Sequence, residues 1–561
     1  MRGLGKGSLL FFTILLASFL LSALSACGND NKEETTTQAT TTENGERTSA
    51  PDPSTQDYTG GEAMDASSVE STGGQEEDKG NFLRMVYFAA VNLDPAFSAS
   101  ISDEIATRLF YDHLVYLDED FNPDPKRGLA EGWESNLEET VWMFKLRRGV
   151  KFHDGKDLTS RDVKYTFDRL RDPDIGSASA TLYENIVNIT TPDDITVVFE
   201  LLNPNPDFLK DLFDSRALII DADNEDPATV FNGAGPFMVE RYIPLDRIVY
   251  KRNPYYWMYD DDGAQAPYLD GIEFVFLDDQ SEFIEALLND RTDFVMSIPP
   301  EYVPALDQNP DITVYRKLSN DIYTIRMRSD RGFAESIAVR QALKAGTDRR
   351  AIMEAANSGI GEVGRDTPIG PVYGDFYLDV PEPARDVGKA RQLLSDAGYS
   401  DGFDITLYTQ QFSVIPQIAK AWKEQMAEIG VNVDILEVPR EVYFGEDSMW
   451  MEVDFAITNW GTRPYPQPYL DLAYTTDAPW NETHWSDARL DELAAEAATE
   501  VNTERRVELY YEIQRIFIEE GPIIVPFFNN NIYAVRSRVK GVKPHSGMAV
   551  DYRFIYLEGL D

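Results

Sequence analysis

The chain has 561 residues, more than one hydrophobic core usually covers, and 43% of them are hydrophobic, which excludes a wholly disordered protein. Its 97 acids against 51 bases leave a net charge of −46, so nucleic acid is excluded as a partner for want of a basic face. Cys27 is the single cysteine, which excludes an intramolecular disulfide.

The chain begins with Arg2 and Lys6 ahead of the apolar run LLFFTILLASFLLSALSA, the pattern of an export signal over residues 1–27. An uncleaved membrane anchor is the alternative, since the run is about long enough to span a bilayer. Leu24-Ser25-Ala26-Cys27 resembles the lipobox of bacterial lipoproteins, which implies cleavage before Cys27 and lipid on its sulfur. Two acyl chains are about what stable anchoring takes. Residues 28–80 are rich in Thr, Ser, Gly and Glu, with Tyr58 the sole aromatic. Such a stretch buries too little apolar surface to order itself and is read as a flexible tether, with an r.m.s. span on the order of 40 Å. It carries −10, leaving −38 for residues 81–561, so the acidity belongs to the folded body. That acidity reads either as a solvated surface that keeps an exported protein soluble or as adaptation to high salt, which screens self-repulsion.

From residue 81 the pattern turns globular. TVWMFKLRRGVKF alternates and places Trp142, Phe144 and Leu146 on one face of a strand, followed by an Asp154-Gly155 turn. Thr159 and Asp162 form a capping box for a helix with Val163, Phe167 and Leu170 on one face. GAGPF (233–237) leaves room for a tight turn, and DDDG (260–263) is a solvated acidic turn lacking the later ligands of a calcium loop. Further on, Asp386 caps a helix that Gly398 stops; FDITLY is a strand; Ile418, Trp422, Met426 and Ile429 line a helix that Gly430 ends; VNVDI and VDFAITNW are strands. This alternation predicts a parallel α/β sheet between about 340 and 470. Pro464, Pro466 and Pro468 then forbid extension of the last strand. In such sheets ligands sit beyond the carboxyl ends of the strands, so the loop NWGTRPYPQPYLDL (459–472) is the expected site.

Chemistry-bearing motifs are sparse. The four histidines, His113, His153, His484 and His545, lack zinc-ligand spacing, and neither a nucleophile elbow nor a phosphate loop occurs. No cofactor is implied. Trp460, Tyr465, Trp480 and Trp485 cluster in and after the proline-rich loop, beside Asn459, Arg463, Asn481 and His484. Aromatic faces with one guanidinium suit a small solute carrying a carboxylate or phosphate. An ion pair with one of the many acids is the alternative for Arg463.

Several blocks are similar, in order, to the family 5 extracellular solute-binding proteins, the receptors of peptide- and nickel-type ABC importers. They are GLAEGWESNLEETVWMFKLRRGVKFHDGKDLTSRDVKYTFDRL (128–170), GAGPFMVERYIPLDRIVYKRNPYYW (233–257), VRQALKAGTDRRAI (339–352), GKARQLLSDAGYSDGF (388–403) and RRVELYYEIQRIFIEEGPIIVPFF (505–528). The resemblance implies an α/β, type II periplasmic-binding-protein fold of the three-domain cluster C type, two lobes closing on a ligand cleft. Domain I would comprise 81–120, 228–315 and 521–561, domain II 121–227 and domain III 316–520. It implies a monomeric, non-enzymatic receptor, lipid-anchored outside the cytoplasmic membrane, that hands a peptide or peptide-like solute to ABC permease subunits. By analogy with lipoprotein sorting, Gly28 rather than Asp after Cys27 does not signal inner-membrane retention in a two-membrane cell, and a long tether with an importer partner fits the outer face of a single membrane.

Peptide-binding members hold the peptide ammonium with an aspartate shortly after this tryptophan. That position falls on Arg463 here, which implies a ligand acid instead. Asn92 falls in the loop that reaches the cleft. The ligand-binding set is therefore Asn92, Asn459, Trp460, Arg463, Tyr465, Trp480 and Trp485, with His484 as an optional metal contact. Alternatives are a non-peptide anion (an opine, sugar conjugate or metal chelate), an exported hydrolase using paired carboxylates, and a sensory receptor.

Overall fold

Local signals set the elements in the computed structural model, which describes residues 81–445 and 449–559. Cys27, the export signal and the tether lie outside the described residues. Thr159 and Asp162 close their capping box at the head of helix Ser160–Arg171, which buries Val163, Phe167 and Leu170. These side chains cover an antiparallel sheet of four strands in the order Ala130–Ser135, Val141–Leu146, Thr196–Leu201, Ile186–Asp193. Trp142, Phe144 and Leu146 face that core, while Val141 and Met143 between them face water.

A larger sheet of twelve strands runs through the rest of the body. One half is parallel as expected from the sequence: Phe403–Thr409 pairs in parallel with Val431–Glu437 and with Phe455–Trp460. The sheet is mixed, however, because Phe455–Trp460 pairs antiparallel with Ile312–Met327 on its other side. That 16-residue strand and its partner, Phe527–Arg536, are long enough to pass from one half of the sheet into the other. Beyond them lie Phe294–Val295, Phe82–Tyr87, Gly271–Phe276, Arg247–Arg252 and Phe237–Ile243.

Four main cores follow. One gathers Leu83, Phe110, Phe274 and Val535 around the second half of the large sheet, and another fills the four-stranded sheet. The remaining two cover opposite faces of the first half. Ile524 and Phe527 face one, Ile523, Val525 and Phe528 the other, as strand alternation requires. Two lobes result, joined by the two crossing strands. The GAGPF glycines serve close approach rather than a turn: a Cβ at Gly235 would lie 2.6 Å from the Phe110 carbonyl carbon.

The crossing pair carries an irregularity where it leaves one lobe for the other. Leu318 pairs with Asn530 and Ile322 with Phe528, so one strand advances four residues while its partner advances two. The extra residues Ser319, Asn320 and Asp321 leave the ladder, as in a bulge that re-aims side chains.

Candidate functional site

Strand Phe455–Trp460 ends where the prolines begin, and its last two residues point to opposite faces. Asn459 Nδ2 donates to Asp321 Oδ1 at 2.6 Å, and Asn529 Nδ2 reaches Asp321 Oδ2 at 3.4 Å. The bulge thus lifts an aspartate between asparagines of the two flanking strands. Asp321 is half-buried, and burial pushes its carboxyl up to about 6 while the two amides pull it back. Asn357 steadies the group by donating to Asn529 Oδ1 at 2.9 Å.

Trp460, on the other face, is 4% exposed, and its indole N–H donates to Glu482 Oε1 at 3.2 Å. Glu482 also accepts from Thr458 Oγ1 at 2.7 Å and lies 3.2 Å from Nε of the buried Arg326. Burial raises the Glu482 pKa, against the pull of Arg326. Trp480 packs on Trp460 with ring centroids 6.1 Å apart, and Trp485 sits in the same core as Trp460, edge-on to Phe517.

Prolines remove amides from the loop, so tyrosine hydroxyls tie it down. Tyr469 Oη accepts from the Arg463 amide at 3.1 Å and donates to the Gly461 carbonyl at 2.8 Å; Tyr373 Oη donates to the Arg463 carbonyl at 2.9 Å. The Arg463 side chain is half-exposed and pairs with no carboxylate among the described residues. Its Nη1 lies 3.9 Å from where a Cβ on Gly461 would stand, which places the guanidinium beside the strand end.

Tyr465 reaches the other lobe, donating its hydroxyl to the buried Asp211. Burial pushes the Asp211 carboxyl up to about 8, while the hydroxyl and Asn205 pull it back. Beside it Arg506, on helix Thr503–Glu520, pairs with the buried Asp207 of the other lobe. The loop is therefore part of the contact between lobes.

Asn459 and Arg463 lie at the strand end and in the loop that follows it, whereas Trp460 is buried in the core on the opposite face with Trp480 packed on it, and Tyr465 is buried against Asp211. Asn92 makes no hydrogen bond to these residues among the described contacts; its backbone N–H donates to Asp103 Oδ1 at 3.0 Å. His484 faces the Met451 carbonyl at 2.8 Å through Nε2 and Arg328 at 3.5 Å through Nδ1, so both ring nitrogens are engaged. Asp321, Asn529 and Glu482 were not among the candidates. SND breaks the alternation of its strand, and NNN interrupts an apolar one; both were available as signals.

Two lobes on paired crossing strands, with polar side chains where the strands end, define a hinged solute-binding protein. Residues 124–481 match the family model for bacterial extracellular solute-binding proteins, family 5 Middle, and the chain belongs to that family. It is 25% identical over 487 residues to the glutathione-binding protein GsiB of Salmonella choleraesuis, covering 82% of this chain and 91% of that one. Among solved structures, the PBP AgaA of A. tumefaciens R10 in complex with agropinic acid superposes with a TM-score of 0.70 at 24% identity, covering 85% of this chain and 98% of that one. The periplasmic binding protein DppA of Helicobacter pylori in complex with peptide STSA gives 0.71 at 22%, with the same coverage. Among the described residues no helix is long and apolar enough to cross a membrane.

Proposed function

We propose that this protein captures a peptide or peptide-like solute bearing an acidic group outside the cytoplasmic membrane and delivers it to an ABC import permease. The observation that carries the polarity is Arg463, a half-exposed guanidinium at the strand end with no described carboxylate partner in a chain of 97 acids. A guanidinium left free at such a point is preorganised for a carboxylate in two parallel bonds. Asn459 stands at the same strand end. The three domains keep the segments read from the sequence, and Cys27 carries the lipid that holds the receptor at the membrane. No catalytic step is assigned, since closing two lobes on a ligand needs none.

The second reading, an opine in place of a peptide, is favoured by the likeness to AgaA bound to agropinic acid. A thermal-shift screen of di- and oligopeptides, opines, glycosides and nickel chelates separates the two. Arg463→Ala is expected to abolish the shift given by the best ligand; an unchanged shift would make Arg463 a surface residue. Sustained product formation from any of these compounds would overturn the receptor reading in favour of a hydrolase.

A further inference from the structure

Several interior carboxylates of this chain are matched by cations. Asp207 faces Arg506, Asp366 faces Arg349, Asp551 faces Arg553 and Glu482 faces Arg326. Asp321 has no such cation and, unlike Asp112 and Asp211, which neutral donors also hold but which are buried, it keeps some exposure. It is held by two neutral amides, no described lysine or arginine lies within ion-pair distance, and it stands on the bulge where the chain passes between lobes. A carboxylate offers about four acceptor positions, and the described side chains fill two, one of them at a long 3.4 Å. Asn459 Oδ1, on the same amide group that holds the carboxylate, accepts from no described donor. Two adjacent free acceptors suit a group with several N–H donors.

The geometry points to Asp321 as the acceptor for an ammonium group of the captured solute, with Asn459 Oδ1 beside it. The inference rests on the solute-capture reading above and deepens it. Asn459, which holds Asp321, precedes Gly461 by two residues, and the Arg463 guanidinium lies against Gly461. Two residues of extended backbone span about 7 Å. An ammonium on Asp321 and an acid on Arg463 therefore stand apart by roughly the length of two or three residues of extended peptide. The solute class is a short zwitterion, a dipeptide or tripeptide in size. The acid that receives the amino group has moved from the loop after the tryptophan to the neighbouring crossing strand, and the loop position has become a cation.

The test uses the full-length protein and isothermal titration with a panel of free-amine di- and tripeptides, each paired with its N-acetyl counterpart. At least one free-amine peptide is expected to bind, and its acetylated form to bind about 100-fold more weakly, in line with the loss of a buried charge pair. Asp321→Asn should weaken the free-amine peptide by a similar factor and leave the acetylated one unchanged, a pattern that a merely structural role would not produce. Equal affinity for the two forms, or an unaltered free-amine affinity in Asp321→Asn, overturns the assignment and leaves solute capture standing. Binding of neither form by any member of the panel overturns both. Should Asp321→Asn fail to fold, the acetylation comparison on the unaltered protein decides alone.

Discussion

Removing Asp207 isolates what the contact between lobes contributes to capture. In the structure Asp207 and Arg506 are buried together, and Arg506 also donates to the Ala497 carbonyl at 3.1 Å and lies over the rings of Phe376 and Tyr510. Those last contacts belong to its own lobe and survive opening; the carboxylate does not. In Asp207→Ala, closing the lobes would strip water from a guanidinium that meets no acid, and removing one partner of a buried pair costs about 3–5 kcal/mol. That magnitude lowers the closed-to-open ratio by roughly 10²–10⁴, and apparent affinity falls with the closed fraction. Small-angle X-ray scattering reads the first effect as a larger radius of gyration, and titration with the best ligand reads the second. Replacing both partners, Asp207→Leu with Arg506→Met, should recover most of the loss, since an apolar pair of similar volume avoids the stranded charge. Unchanged scattering and unchanged affinity in Asp207→Ala would refute the view that this pair stabilises closure.

Asp211 titrates in the opposite sense to a surface acid. Its folded-state pKa of about 8 exceeds its ordinary value of 3.8, so its contribution is fully present below about pH 4 and is lost as pH rises towards 8. Asp211→Asn should flatten the pH dependence of thermal stability between those limits; an identical profile would count against the assignment. Glu482→Ala strands the fully buried Arg326 and should lower unfolding stability by about 3–5 kcal/mol in denaturant titration, whereas a change below about 1 kcal/mol would show the site to be wet. Finally, the charge of −46 predicts that added salt raises the melting temperature through screening, and full stability without salt would rule out adaptation to high salt.

The parts of the fold governed by neighbours in sequence were legible. The Thr159–Asp162 box, the Asp386 cap with its bond to the Lys389 amide, and the left-handed glycines at 398 and 430 all act within a turn or two of chain. The class of the protein was legible too, because long blocks carry it. What stayed hidden depends on partners far along the chain. Asp321 meets Asn459 across 138 residues and Asn529 across 208, and no periodicity announces such a meeting. Trp460 and Trp485 both look like cleft aromatics from their neighbourhood, yet packing buries both in one core, where Trp485 faces Phe517. The antiparallel neighbour of Phe455–Trp460 was missed for the same reason, since that strand enters from residue 312, outside the alternating region.

The bulge at Ser319–Asp321 has a mechanical meaning. Two paired strands that pass between lobes act as a flat ribbon, which bends readily across its face and resists shear along its length. Points on the bending axis move least when the lobes swing, so the carboxylate at the bulge keeps its place whether they are apart or together. A solute can therefore anchor to the still point of the open receptor, and the moving jaw arrives afterwards to enclose what is already held.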